Sequence, residues 1–142
     1  VASSPTGLLR TGDGIAGALA RARESLQRLT PREVLDALAD GALVIDTRTY
    51  VERAEQGNLS GALVIDRTVL EWRLDPASPD RIPEADQDAL IIVICRQGYS
   101  SSLAAAGLRA IGLHRATDMI GGVESWLEQR LPVTWQPADV RR

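Results

Sequence analysis

Ala89-Leu90-Ile91-Ile92-Val93-Ile94-Cys95-Arg96-Gln97-Gly98-Tyr99-Ser100-Ser101-Ser102 carries the deciding pattern of this 142-residue chain. Six apolar residues in an unbroken run read as a strand buried on both faces. The run delivers Cys95 to the strand's carboxyl end. Gly98 marks a tight turn, and Ser101–Ile111, rich in Ala and Leu, reads as a helix stopped by Gly112. Two more strands of the same kind lie upstream. Ala42–Ile45 ends at Asp46 and Ala62–Ile65 ends at Asp66. The hexapeptide Gly-Ala-Leu-Val-Ile-Asp thus occurs twice, at 41–46 and 61–66. A solenoid needs further copies and none follows, so the repeat reads as two buried strands of convergent composition.

The segments between these strands read as helices. Thr30-Pro31-Arg32-Glu33 opens one, with Thr30 as cap, Pro31 at the first helical position and Glu33 completing a capping box. Val34, Leu35 and Leu38 form its apolar face. Short helices are predicted over Tyr50–Gln56, Thr68–Leu74 and Val123–Gln129. Short strands are predicted over Gln27–Leu29 and Arg115–Ile120. The stretch 75–88 holds three of the seven prolines and reads as a surface loop. Ile15, Leu19, Ala22 and Leu26 have near-helical spacing, which predicts a helix lying on the domain or on a partner. The expected organisation is an N-terminal arm with a helix over 1–27, a domain over 28–135 and a tail over 136–142. Alternating strands and helices predict an α/β fold, with a mostly parallel sheet covered on both faces. Such sheets bind ligands beyond the carboxyl ends of their strands, where Asp46, Asp66 and Cys95 all stand.

Composition narrows the function. Sixteen cations, all Arg, against 19 acidic residues leave a net charge of −3, without the basic surface that nucleic-acid binding uses. One cysteine excludes an intrachain disulfide framework and a multi-cysteine metal site. It also suits a reducing compartment. The N-terminus has no basic stretch ahead of an apolar one, so a signal peptide is not expected. No membrane span is expected either. The expectation is a cytoplasmic chain with no metal and no organic cofactor.

The chemistry concentrates at Cys95. A strand-to-helix loop aims backbone N–H groups inward as an anion-binding nest. The helix start adds its dipole, and Arg96 adds a positive charge beside the thiol. All three favour thiolate over thiol. The same cradle would hold a small anion or a persulfide.

The loop resembles the active-site loop of rhodanese-like sulfurtransferases. Asp46-Thr47-Arg48 resembles that family's Asp-x-Arg motif. Gly57-Asn58-Leu59-Ser60-Gly61-Ala62 is similar to its Gly-His-Ile-Pro-Gly-Ala segment, with Asn58 and Ser60 replacing His and Pro. Gly121-Gly122-Val123-Glu124-Ser125-Trp126 with Leu131-Pro132-Val133 resembles its C-terminal element. The likeness spans roughly Arg28 to Trp135. Many single-domain members carry Arg where this chain has Ser100.

The resemblance implies a sulfurtransferase that moves a sulfane sulfur through a Cys95 persulfide. The donor would be thiosulfate or a persulfide, and the acceptor cyanide or a thiol, with a sulfur-relay protein as a further partner. Cys95 is the catalytic candidate. Arg96, Gln97, Gly98, Tyr99, Ser100 and Ser101 form the substrate-binding loop, and Asp46 and Arg48 brace it. Two alternatives stand beside this reading. One is a sulfur carrier or partner-binding module with little turnover. The other is a cysteine phosphatase or arsenate reductase, which needs Arg where this chain has Ser101. His114 reads as a surface residue. Trp72 is expected to pack on the core and Trp126 to anchor its helix.

Overall fold

The computed structural model describes residues 13–142, so residues 1–12 of the expected arm lie outside the described residues. The helices are α1 (Gly14–Arg23), α2 (Pro31–Ala39), α3 (Tyr50–Gln56), α4 (Leu70–Leu74), α5 (Ser100–Ala110) and α6 (Gly122–Glu128). The strands are β1 (Leu43–Asp46), β2 (Leu63–Val64), β3 (Ile91–Ile94), β4 (Thr117–Asp118) and β5 (Asp139–Val140). They form one five-stranded sheet in the order β4-β3-β1-β2-β5, parallel throughout.

The apolar strands behave as their composition dictates. All four residues of β3 are buried. Successive side chains point to opposite faces, so Ile91 and Val93 enter one core and Ile92 and Ile94 the other. The first core is closed by Leu70 and Leu74 of α4 and by Ala104, Ala105 and Leu108 of α5. The second is closed by Val34 of α2 and by Val123 and Trp126 of α6. Trp126 donates its indole N–H to the Pro132 carbonyl at 3.0 Å, which anchors its helix as expected.

Caps set the helix starts. Thr30 and Glu33 make the predicted capping box. The same Thr-x-x-Glu signal recurs at Thr49 and Glu52 and starts α3. The Asp66 carboxylate caps the 3-10 turn Arg67–Val69 that leads into α4, and the Thr68 hydroxyl and amide hold its carboxyl below the usual range.

Three expectations are corrected. Trp72 is 59% exposed, because α4 buries Leu70 and Leu74 and a residue midway between them faces the opposite side. Gln27–Leu29 is not a strand, since only Leu29 makes a parallel bridge, to Met119. The stretch Arg115–Ile120 narrows to the two residues of β4. Two terminal segments also join the domain. Helix α1 packs along α5, and Asp139–Val140 adds the edge strand beside β2.

Candidate active-site loop

Register places the candidate site. Asp46 pairs with Ile94 across β1 and β3, so the segments leaving both strands emerge side by side. Thr47 fastens them, donating its N–H and its hydroxyl to the Ile94 carbonyl at 3.0 and 2.8 Å. Cys95 follows directly and is 6% exposed.

The loop after Cys95 turns its carbonyls outward. The Cys95 and Arg96 carbonyls accept from the N–H groups of Val123 and Glu124, at 2.9 and 3.0 Å. The Gly98 carbonyl accepts from Arg23 at 2.7 Å and from Arg28 at 3.0 Å. The Tyr99 carbonyl accepts from the Ser102 N–H at 3.1 Å. In a trans peptide the N–H points opposite to its carbonyl, so these bonds send the following amides the other way. Gly98 donates its N–H to Cys95 Sγ at 3.2 Å. Among the described residues the N–H groups of Arg96, Gln97 and Tyr99 have no acceptor. Successive unpaired N–H groups are what an anion-binding nest is made of.

Glycines make the close packing possible. Gly98 has φ +83°, and a Cβ there would lie 2.7 Å from the Gly121 nitrogen. Gly122 has φ +64°, and its Cβ would meet Arg96 and Gln97 backbone atoms at 2.5 Å. The Gly121-Gly122 pair therefore sits flush against the loop and lets α6 deliver its first N–H groups to the loop carbonyls.

A pocket of about 330 Å³ opens over Cys95. Of the expected residues, Arg48, Cys95, Arg96, Gln97, Tyr99 and Ser100 line it. Gly98 contributes from below through its N–H. Ser101 does not line it: its side chain is buried, with the hydroxyl donating to Asp118 at 2.8 Å. Thr47 and Glu52 also line the pocket. Sequence reading missed both, although Thr47 lies inside the Asp-x-Arg motif. Hollows of about 660 and 670 Å³ lie beside Trp72 and Trp135, but the chain's one cysteine is in neither. His114 is at the surface in another hollow, 2.9 Å from Asp88.

The charges around the pocket are largely paired. Arg48 and Asp46 are both buried and joined at 2.8 Å. Arg48 also donates to the Gly57 carbonyl at 2.9 Å and to Gln56 at 3.2 Å. Arg96 does not stand as a lone charge beside the thiol, because its Nε meets Glu124 at 3.0 Å. Beneath the loop, buried Asp118 accepts from Ser101, Ser102 and Arg28.

Known proteins resemble this chain in sequence and fold. Residues 30–129 match the family model described as "Rhodanese-like domain". A thiosulfate sulfurtransferase GlpE of Ectopseudomonas mendocina is 34% identical over 100 residues, which span 70% of this chain and 84% of that protein. A maize adenylyltransferase and sulfurtransferase, MOCS3-2, is 33% identical over 101 residues, 70% of this chain and 20% of that protein. Among solved structures, a Rhodopseudomonas palustris protein of unknown function, described as a possible tyrosine phosphatase, superposes with TM-score 0.79 at 27% identity, covering 87% of this chain and 96% of that one. The human single-domain sulfurtransferase TSTD1 superposes with TM-score 0.58 at 27% identity, covering 72% and 96%. Strand, cysteine, outward-facing loop carbonyls and helix thus occur in a chain matched over most of its length, and the protein belongs to the family of rhodanese-like domains.

Proposed function

We propose that this protein is a sulfurtransferase that works through a Cys95 persulfide. The observation that carries the reading is the loop: Cys95 Sγ lies under the Gly98 N–H at 3.2 Å, and three further loop N–H groups have no acceptor among the described residues. Hydrogen bonds to an anion are the strong ones, so this arrangement suits a negative charge carried on the outer sulfur of a persulfide.

The Cys95 thiolate attacks the outer sulfur of thiosulfate. The new S–S bond forms as the old one breaks, and sulfite leaves with the electron pair. The terminal sulfur of the persulfide keeps the negative charge, which the loop amides offset. A thiolate or cyanide acceptor then attacks that outer sulfur, and the cysteine leaves as thiolate. The cycle is covalent catalysis with ping-pong kinetics. Arg96, Tyr99 and Ser100 border the donor's entry, and Arg48 with Asp46 hold the neighbouring β1 end in place. A cytoplasmic setting is part of this proposal, since a reducing compartment supplies thiol acceptors.

Phosphate chemistry has one observation to answer, the likeness to a protein described as a possible tyrosine phosphatase. Gripping a phosphoryl group uses an arginine fork at the loop's end. Position 101 holds Ser, and its hydroxyl is spent on Asp118.

Incubation with thiosulfate is expected to leave the chain one sulfur atom heavier by intact-mass analysis, with the gain lost in Cys95→Ser. Cyanide should then remove the sulfur as thiocyanate. A wild type that gains no sulfur from thiosulfate or from an organic persulfide overturns the proposal. Hydrolysis of an aryl phosphate, absent in Cys95→Ser, would favour phosphate chemistry instead.

A further inference from the structure

We infer that Arg23 and Arg28 are positioning residues of the Cys95 loop, which makes the segment carrying α1 a working part of the site. The inference rests on Cys95 being the reacting group of the proposed function. Both residues precede residue 30, where the family match begins.

The geometry is specific. Arg23 reaches from the end of α1 and donates through Nη2 to the Gly98 carbonyl at 2.7 Å. Its Nε donates to the Ser102 hydroxyl at 3.0 Å, and its guanidinium lies 6.0 Å over the Tyr99 ring. Arg28 donates to the same carbonyl at 3.0 Å while its fork holds Asp118 at 2.8 and 3.2 Å. Asp118 is fully buried and also accepts from Ser101 and Ser102. The Arg28 backbone is held beside it, because Leu29 donates to the Asp118 carbonyl and accepts from Ile120.

Two charged donors on one carbonyl exceed what satisfying it requires. The Cys95 and Arg96 carbonyls each make do with one backbone N–H. What the pair adds is a fixed orientation of Gly98. That residue is held at its carbonyl by the two guanidiniums and packs closely against Gly121. Its N–H is thereby held on Cys95 Sγ, and the trans peptide to Tyr99 turns the Tyr99 N–H away from the guanidiniums. Arg23 acts on the loop twice, through the Gly98 carbonyl and through the Tyr99 ring at the pocket wall.

The test uses the full chain with Arg23→Met, which keeps the aliphatic length, and Arg23→Lys, which restores a cation. Helix α1 buries no residue fully, so both variants are expected to fold. The readouts are the rate of Cys95 alkylation by iodoacetamide and the kcat and KM of sulfur transfer from thiosulfate. Arg23→Met is expected to slow alkylation and kcat together by about tenfold, as for a reacting group held off its best geometry. Arg23→Lys is expected to recover part of both. Arg28→Met would leave Asp118 buried and unpaired, so it is combined with Asp118→Asn, and the pair is expected to slow alkylation as well. A wild-type alkylation rate in Arg23→Met, with only the melting temperature lowered, overturns the inference. So does a slowed rate that Arg23→Lys does not lift at all. Alkylation needs no sulfur transfer, so a protein without transferase activity still decides the role of Arg23.

Discussion

Arg96 stands at the pocket with its charge already engaged, and releasing it is the most direct electrostatic test of the site. Glu124 meets Arg96 at 3.0 Å, with the two side chains 39% and 49% exposed. It also accepts weakly from the Gln97 amide at 3.4 Å. Glu124→Gln keeps the shape and removes one negative charge. A thiosulfate dianion arriving about 5 Å from that charge would feel roughly 1.7 kcal/mol of repulsion at the dielectric constant of water. Screening reduces this to about 1.4 kcal/mol at 10 mM salt and about 0.9 kcal/mol at 0.15 M. The variant is therefore expected to raise kcat/KM for thiosulfate about tenfold at low salt and about fourfold at physiological salt. The gain should lie in KM, because the charge acts on donor and transition state alike. Loss of an acidic residue from the first turn of α6 costs about 0.3–1 kcal/mol of stability, too little to unfold the domain.

Steady-state kinetics at the two salt concentrations, with an uncharged organic thiosulfonate as control donor, make the comparison. The control should be unchanged. A change below twofold for thiosulfate at low salt refutes the reasoning, as does a gain confined to kcat. Either result would mean that Arg96 does not face the incoming donor.

Two further outcomes follow from the charges. Arg48→Met strands the buried Asp46 carboxylate and the Gly57 carbonyl, and is expected to cost about 3–5 kcal/mol. Adding Asp46→Asn should return part of that loss, and urea unfolding of the two variants measures it. The C-terminal strand should be acid-sensitive. The Arg141 guanidinium bonds to Glu84 and Asp139 and holds both carboxyls below their ordinary values. A depressed folded-state value gives stabilisation that is full above the unfolded values near 4.5 and 3.8 and is lost as pH falls through the folded ones. The hydrogen-exchange protection factor of the Arg141 amide, which bonds to the Val64 carbonyl, should therefore fall in acid before those of β3. In Arg141→Met that difference should vanish.

How much of this was legible follows from sequence separation. The run from Ala89 to Ser102 holds a strand, a nucleophile, a turn and a helix start within fourteen consecutive residues, so apolar continuity and one glycine suffice to read it. Thr30 and Glu33 are three apart, and their capping box was equally plain. The supports of the loop are different. Arg28 and Asp118 are 90 residues apart, Arg23 and Gly98 are 75 apart, and Arg96 and Glu124 are 28 apart. No local pattern records such pairings. An Arg on an exposed helix reads as solvation until its partner is placed. The edge strand Asp139–Val140 was hidden for a related reason: two exposed residues carry no alternation, and only the open edge of β2 gives them a ladder. Trp72 misled because its size suggests core, whereas the five-residue α4 has room on its inner side only for Leu70 and Leu74.

The loop also bears on the proposed preference for sulfur over phosphate. A transferring phosphoryl group spreads charge over three oxygens and is met by an arginine or a metal ion. Here Arg48 and Arg96 each have a carboxylate partner, and Arg23 and Arg28 are spent on the Gly98 carbonyl from outside the pocket. What faces inward is backbone: the Gly98 N–H on sulfur and the unpaired N–H groups of Arg96, Gln97 and Tyr99. Dipoles of that kind match one diffuse negative charge about 2 Å beyond Sγ, the length of a sulfur–sulfur bond. The proposed persulfide places its charge there. The contribution of Arg23 and Arg28 is then to hold the Gly98 carbonyl out, which turns the Tyr99 amide the other way, while α6 does the same for the Cys95 and Arg96 carbonyls.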